Sequence, residues 1–231
     1  MAGRLLAPDT MSTGARPVAH AWLEGDLQMT ASHATGLLEV NGVRGFLSEG
    51  DVLQLHDHAR AVRPGGSIVE IGSFMGLSAI VLAIGLVDSG NFTARIHCVD
   101  TWAGSPEHGH LEIVRRGRLY DLFLANVEDA GIAALVHPIR LPSVEAARRF
   151  APASVDLLFV DGDHSEEAAS ADLRAWWPTI RPGGTVLGHD CAPGGGVERA
   201  LRRFVAEERL TYEITEPPLA NYLFSLLRPA I

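Results

Sequence analysis

Apolar positions in this chain gather into short unbroken runs, separated by stretches in which they recur every three or four residues. The first readable unit begins at Ser48, which can cap a helix, with Asp51 in its first turn. Val52, Leu55, Ala59 and Val62 then follow at helical spacing, and Arg63-Pro64-Gly65-Gly66 ends the helix. Residues 67–72 predict a strand running into glycine, and 77–87 a helix of small and aliphatic residues. A second strand over 95–99 ends at Asp100. Residues 111–130 predict one continuous helix, 135–140 a third strand and 143–150 a short helix. The apolar strand 155–160 ends at Asp161, and a helix follows over 168–177. Pro182-Gly183-Gly184 introduces a strand over 185–188 that ends at His189-Asp190. A helix over 197–208 and two strands, 211–215 and 222–227, complete the pattern.

Strands alternate with helices, and the strands are apolar runs rather than alternating patterns. That combination predicts an α/β fold with a mostly parallel seven-stranded sheet and helices on both faces. The last two strands are separated only by residues 216–221, too few for a helical crossover, so they should pair antiparallel. Residues 1–17 read as a loose arm rich in small and turn-forming residues. Four glycines (Gly25, Gly36, Gly42, Gly45) interrupt the pattern that follows, which reads as a cap or lid. The expected division is an N-terminal arm and cap over 1–47 and the main domain over 48–231.

Composition narrows the function classes. At 231 residues and 47% hydrophobic, the chain can bury a sizeable core. The net charge of −9 disfavours a duplex nucleic-acid binder, so no nucleic-acid partner is expected. Every basic residue is arginine, so Schiff-base chemistry, pyridoxal phosphate chemistry and a P-loop lysine are excluded. Two cysteines, Cys98 and Cys191, cannot build a disulfide framework or a Cys-rich zinc site. No apolar run reaches the roughly 18 residues of a membrane span, and the N-terminus lacks the apolar core of a signal peptide. A cytoplasmic location with no membrane partner is therefore expected, and a homodimer is the default assembly.

The notable polar residues stand at the carboxyl ends of the strands, where open α/β sheets bind their ligands. Glu70 and Gly72 end the first strand, Asp100 the second, Asp161 to His164 the fourth and His189-Asp190 the fifth. In Glu70-Ile71-Gly72-Ser73-Phe74-Met75-Gly76, Gly72 permits a tight turn and Gly76 opens a helix whose N-terminus favours anions. A dinucleotide-type G-x-G-x-x-G is absent, which argues against an NAD(P)-dependent oxidoreductase. Asp100 suits ribose hydroxyls or caps a turn, and Trp102 stacks on an adenine or simply packs its loop. Asp161-Gly162-Asp163-His164 suits a divalent metal, a general base, or both; the plainer reading has Asp163 capping the next helix and His164 solvated. His108 and His110 form an H-x-H pair in a Gly-rich loop; a zinc role would need further ligands, and a substrate-facing loop or solvent exposure is the plainer reading. His56 and His58 and the arginine pairs 115–116, 148–149 and 202–203 read as surface residues, and Trp176-Trp177 as core.

Taken together, VEIGSFMG, HCVDTW, LLFVDGDHS and RPGGTVLGHD resemble the class I S-adenosylmethionine-dependent methyltransferases, from about Ser48 to the C-terminus. D-G-D-H with G-H-D resembles the macrocin-type small-molecule O-methyltransferases, many of which need Mg²⁺. The resemblance implies a Rossmann-like methyltransferase fold with an antiparallel C-terminal strand. It implies that Glu70, Gly72, Ser73 and Gly76 hold the amino-acid end of S-adenosylmethionine. Asp100, Thr101 and Trp102 would serve the nucleoside, Ser143 the adenine, and Asp161 would border the cofactor. Asp161 and Asp190 would bind Mg²⁺, and Asp163, His164 and His189 would be the catalytic set, with Asp163 or His164 as base. Related metal-dependent enzymes often carry paired acids where this chain has His189-Asp190. The implied reaction is methylation of a hydroxyl on a small-molecule acceptor. Alternatives on the same fold are N-methylation, cyclisation of the cofactor's aminobutyl chain with release of methylthioadenosine, and a non-catalytic binding protein.

Overall fold

The computed structural model describes residues 29–32, 37–40, 42–104, 111–217 and 220–230. The expected arm over 1–17 and the pair His108 and His110 lie outside them. A small antiparallel sheet comes first, with β1 (Met29–Ser32), β2 (Leu37–Val40) and β3 (Val43–Gly45) in that order. It lies within the segment 1–47 where an arm and cap are expected. Packing continues across its boundary with the main domain, since Val43 and Leu47 are buried in the same core as helix α2 (Leu77–Asp88).

The main sheet has seven strands: β4 (Ser67–Ile71), β5 (Arg95–Asp100), β6 (Val136–Arg140), β7 (Val155–Val160), β8 (Ile180–Gly188), β9 (Tyr212–Thr215) and β10 (Leu223–Leu227). Their order is β6-β5-β4-β7-β8-β10-β9. The first five run parallel, and β10 lies antiparallel between β8 and β9, as the short connection requires. The direction of winding reverses between β4 and β7, which opens a crevice at their carboxyl ends.

Successive strand residues point to opposite faces. Ile68, Ile96, Leu157 and Phe159 join the core beneath α1 (Glu49–Arg60), α2 and α4 (Leu119–Asp129). Val69, Val99, Leu158 and Val160 join the core beneath α5 (Ser143–Ala147), α6 (Glu166–Trp176) and α7 (Gly196–Glu208). Both faces are covered, which is why the strands read as continuous apolar runs.

Two expectations are corrected. The helix expected over 111–130 is two helices, α3 (Glu112–Arg115) and α4, because Gly117 takes φ +64° and turns the chain between them. Strand β8 begins at Ile180 rather than after Pro182-Gly183-Gly184. An irregularity between Val155 and Leu157 accommodates that run, and the buried Asp156 there receives Arg63 Nε and the Ser67 N–H at 2.8 and 2.9 Å.

Candidate active site

The carboxyl ends of the strands enclose a cavity of about 660 Å³, within the usual range of ligand sites. Gly45, Phe46 and Leu47 line it beside the main sheet. At its centre, Gly72 takes φ +86°, and a Cβ there would stand 2.0 Å from the Asp161 carbonyl oxygen. Only glycine lets the turn after β4 pass so close to the exit of β7. The Gly72 N–H donates to Val99 O and the Asp161 N–H to Ile71 O, so the three strand exits are tied together.

Asp100 shapes the loops around it. Its Oδ2 accepts the Ser73 and Phe74 N–H groups at 3.0 and 2.9 Å, and its Oδ1 accepts the Trp102 N–H at 2.7 Å. The capping role is therefore real, yet Oδ1 retains acceptor capacity on the cavity wall for a hydroxyl. Burial pushes the Asp100 pKa up against these backbone donors. Gly72, Ser73 and Thr101 also line the cavity.

Three expected cofactor residues stand behind the wall rather than on it. Trp102 is 2% exposed and packs on Tyr120 and Phe123, with Nε1 donating to Phe74 O at 3.0 Å. The stacking role expected for it is corrected: its ring is core, held by its own left-handed turn at φ +50°. Gly76 caps α2 at φ +94° against Phe123. Glu70 is fully buried, and its Oε2 accepts the Ser73 hydroxyl at 2.6 Å. Burial pushes its pKa up to about 7 despite that bond.

At the α6 side, Ser143 lines the cavity and its Oγ accepts Trp176 Nε1–H at 2.9 Å. Its neighbour there is Asp172, which sequence reasoning passed over. Asp172 is buried and borders the cavity, and burial pushes its pKa up to about 6 against a hydrogen bond from Ser143. The signal was present: Asp172 shares the buried stripe of α6 with Ala169, Leu173 and Trp176. An acid on such a face needs a partner or a ligand.

The ends of β7 and β8 bring four expected residues together. His164 Nε2 stands 3.5 Å from Asp161 Oδ1 and 3.3 Å from Asp190 Oδ2. His189 Nδ1 stands 3.4 and 3.3 Å from the same two oxygens. Asp190 reaches this position through a left-handed backbone, φ +56°, which aspartate tolerates better than most residues. Asp163 is not drawn in. It is exposed at the rim, and its Oδ1 accepts the Ser165 N–H at 2.8 Å ahead of α6. The turn-capping bond is present, and Asp163 also borders the cavity.

A further residue was hidden by distance in sequence. Asp51 is buried at the start of α1, where its Oδ2 accepts the Ser48 N–H and hydroxyl at 2.7 Å in a capping box. The same carboxylate meets His189 Nε2 at 3.1 Å and accepts the Asn221 N–H at 2.9 Å. Burial works against both charges, but the pairing outweighs it. Asp51 and Asp161 are held below the usual carboxylate range, and three carboxylates push His189 far above the imidazole range. His189 is thus enclosed by three carboxylates and bridges the start of α1 to the end of β7.

The cavity fits S-adenosylmethionine. Asp100 keeps an acceptor for a ribose hydroxyl, and the N-terminus of α2 (Leu77, Ser78) gives the wall a partial positive charge for a carboxylate. The Asp161–Asp190 cluster fits Mg²⁺ poorly, because that ion takes oxygen ligands and two of the four inward atoms are imidazole nitrogens.

A family model described as a methyltransferase domain matches residues 69–191. An uncharacterized protein of Sinorhizobium fredii, y4gI, is 33% identical over 132 residues, which is 56% of this chain and 13% of that protein. The chain thus spans a small part of that relative's length. The O-methyltransferase NovP superposes with a TM-score of 0.58 at 16% identity, over 78% of this chain and 80% of that one. An O-methyltransferase from Bacillus cereus, solved in complex with SAH, superposes with a TM-score of 0.52 at 20% identity, over 91% and 86%. These likenesses show a shared fold. Among the described residues, no helix is long and apolar enough to cross a membrane.

Proposed function

The chain belongs to the methyltransferase-domain family, and from that premise we propose that it moves the methyl group of S-adenosylmethionine to a hydroxyl of a small-molecule acceptor. The observation that carries this reading is one cavity with two unlike ends. The loops after β4 and β5 offer Gly72, Ser73 and Asp100, which suit a nucleoside amino acid. The ends of β7 and β8 offer imidazoles and carboxylates, which suit proton removal.

When bound, S-adenosylmethionine supplies a methyl group already activated by its sulfonium. The protein's work is then alignment and proton handling. Asp100 Oδ1 would accept from the ribose, and Ser143 with Asp172 would face the base. The buried His189 and Asp51 hold Asp161 and Asp190 in place. The acceptor hydroxyl's proton would be taken up at the cluster of Asp161, His164 and Asp190, whose members all border the cavity. No step is assigned to Mg²⁺.

The test is product analysis of the full chain with S-adenosylmethionine and a panel of hydroxylated metabolites. S-adenosylhomocysteine together with an O-methylated product supports the reading. An N-methylated product, or methylthioadenosine, would replace it with another reaction on the same fold. Binding of S-adenosylmethionine without any product across the panel would favour a non-catalytic role.

A further inference from the structure

The turn that enters β10 puts an unmatched amide on the cavity wall. Asn221 is half-buried and lines the cavity, and its side chain makes no hydrogen bond among the described residues. Its neighbours on that wall are engaged. The Ser73 hydroxyl donates to Glu70, Asp100 accepts three backbone N–H groups, Thr101 Oγ1 accepts the Ala103 N–H, and Ser143 Oγ accepts from Trp176. The imidazoles and carboxylates at the ends of β7 and β8 face one another. A polar group left unmatched beside a ligand cavity is one that a ligand completes.

The main chain around Asn221 is pinned. Its N–H donates to Asp51 Oδ1 at 2.9 Å, and Asp51 is itself held by Ser48. The next residue, Tyr222, takes φ +54°, and its carbonyl accepts the Cys191 N–H at 3.0 Å. β10 then starts at Leu223 and runs antiparallel to β8. The amide is therefore presented from the mouth of a sheet strand, which preorganises it for binding.

The order of the sheet sets which end of the cavity this amide serves. β10 lies next to β8, whose end carries His189 and Asp190, and Asp51 meets His189 and Asn221 at once. Asp100 ends β5, four strands away from β10, or about 19 Å at roughly 4.7–4.9 Å per strand. An asparagine side chain cannot cross that distance to a ribose. It stands about one strand spacing from Asp190, at the end proposed to take up the acceptor's proton.

On the reading of this cavity as an O-methyl-transfer site, we infer that Asn221 binds the methyl acceptor and selects one that carries a second oxygen function, a hydroxyl or a carbonyl, a few bonds from the hydroxyl that is methylated. The class follows from the amide, which offers two N–H donors and one carbonyl acceptor. A hydroxyl uses either side of it, and a ketone only the donors. A compound with a lone hydroxyl, already engaged at the ends of β7 and β8, leaves the amide unmatched and is rejected for that reason.

The experiment uses the full chain saturated with S-adenosylhomocysteine, whose own binding is measured by calorimetry. Matched probes are titrated by ligand-observed NMR: catechol against phenol, propylene glycol against isopropanol, and acetoin against sec-butanol. In at least one pair the probe with two oxygens should bind about 3–10-fold more tightly than its partner. Asn221→Ala should erase that preference and leave S-adenosylhomocysteine affinity within about twofold, which also shows that the variant is folded. Asn221→Asp, which only accepts, should keep a preference for a diol and lose one for the hydroxy-ketone. Equal binding within every pair, a preference unchanged in Asn221→Ala, or no probe bound to protein that binds S-adenosylhomocysteine would overturn the inference and leave the methyl-donor reading standing. Failure of the folded chain to bind S-adenosylhomocysteine would instead remove the methyltransferase reading, and the inference with it.

Discussion

Replacing Glu70 with glutamine should change how stability depends on pH by an amount that follows from its burial. Glu70 has no solvent exposure, its Oε2 accepts the Ser73 hydroxyl, and among the described residues its Oε1 makes no hydrogen bond of normal geometry. Its pKa is raised from 4.5 to about 7, chiefly by burial. Below pH 4.5 the residue is protonated in both states and contributes no pH dependence. Between 4.5 and about 7 the unfolded chain releases this proton while the folded protein keeps it. Stability therefore falls across that window by up to about 1.4 kcal/mol per pH unit. Above pH 7 the loss levels off at about 3 kcal/mol. Glu70→Gln removes the titration and adds a constant offset of about 1 kcal/mol from its changed hydrogen bonding. Urea denaturation of the ligand-free proteins across pH 4.5 to 8 isolates the effect, because every other group cancels in the difference. The variant should gain about 3 kcal/mol on the parent over that range. Parallel profiles, with a constant difference, would refute the claim that burial holds the proton on Glu70.

The remaining predictions concern the cavity. His164→Ala should lower turnover by about 10²–10⁴-fold, the usual worth of a positioned proton-transfer group. Asp163→Ala should lose about 0.5–1.5 kcal/mol of stability as one lost side-chain hydrogen bond to the Ser165 N–H, with turnover kept within about tenfold, measured with the same acceptor. Trp102→Phe keeps an aromatic ring in the core but removes the bond to Phe74 O. It should lower the melting temperature and leave affinity for S-adenosylmethionine within about threefold; a large loss of affinity in the folded variant would restore a stacking role.

The legible part of the fold was the part set by local spacing. The capping box at Ser48 and Asp51, the apolar strands and the acids at their ends could all be read from neighbouring residues. The short turn before β10 announced its direction. What stayed hidden depends on contacts across the chain. Asp51 is a cap residue by spacing and becomes the partner of His189 only when α1 packs against the end of β8. Trp102 looked like a ligand platform because it follows Asp100, yet a left-handed turn sends its ring inward. Asp172 looked like an ordinary helix position until α6 was placed over the cavity. Asp163 and His164 are adjacent in sequence but go opposite ways, one to a backbone N–H and the other toward two carboxylates.

Calorimetric titration of the folded chain with S-adenosylmethionine and S-adenosylhomocysteine tests the central claim most directly. One site of low-micromolar affinity is expected for each. Asp100→Asn should weaken both about 10–100-fold, the worth of a hydrogen bond to a charged acceptor. No binding heat with either ligand, on protein shown to be folded, would contradict the assignment of this cavity to the methyl donor.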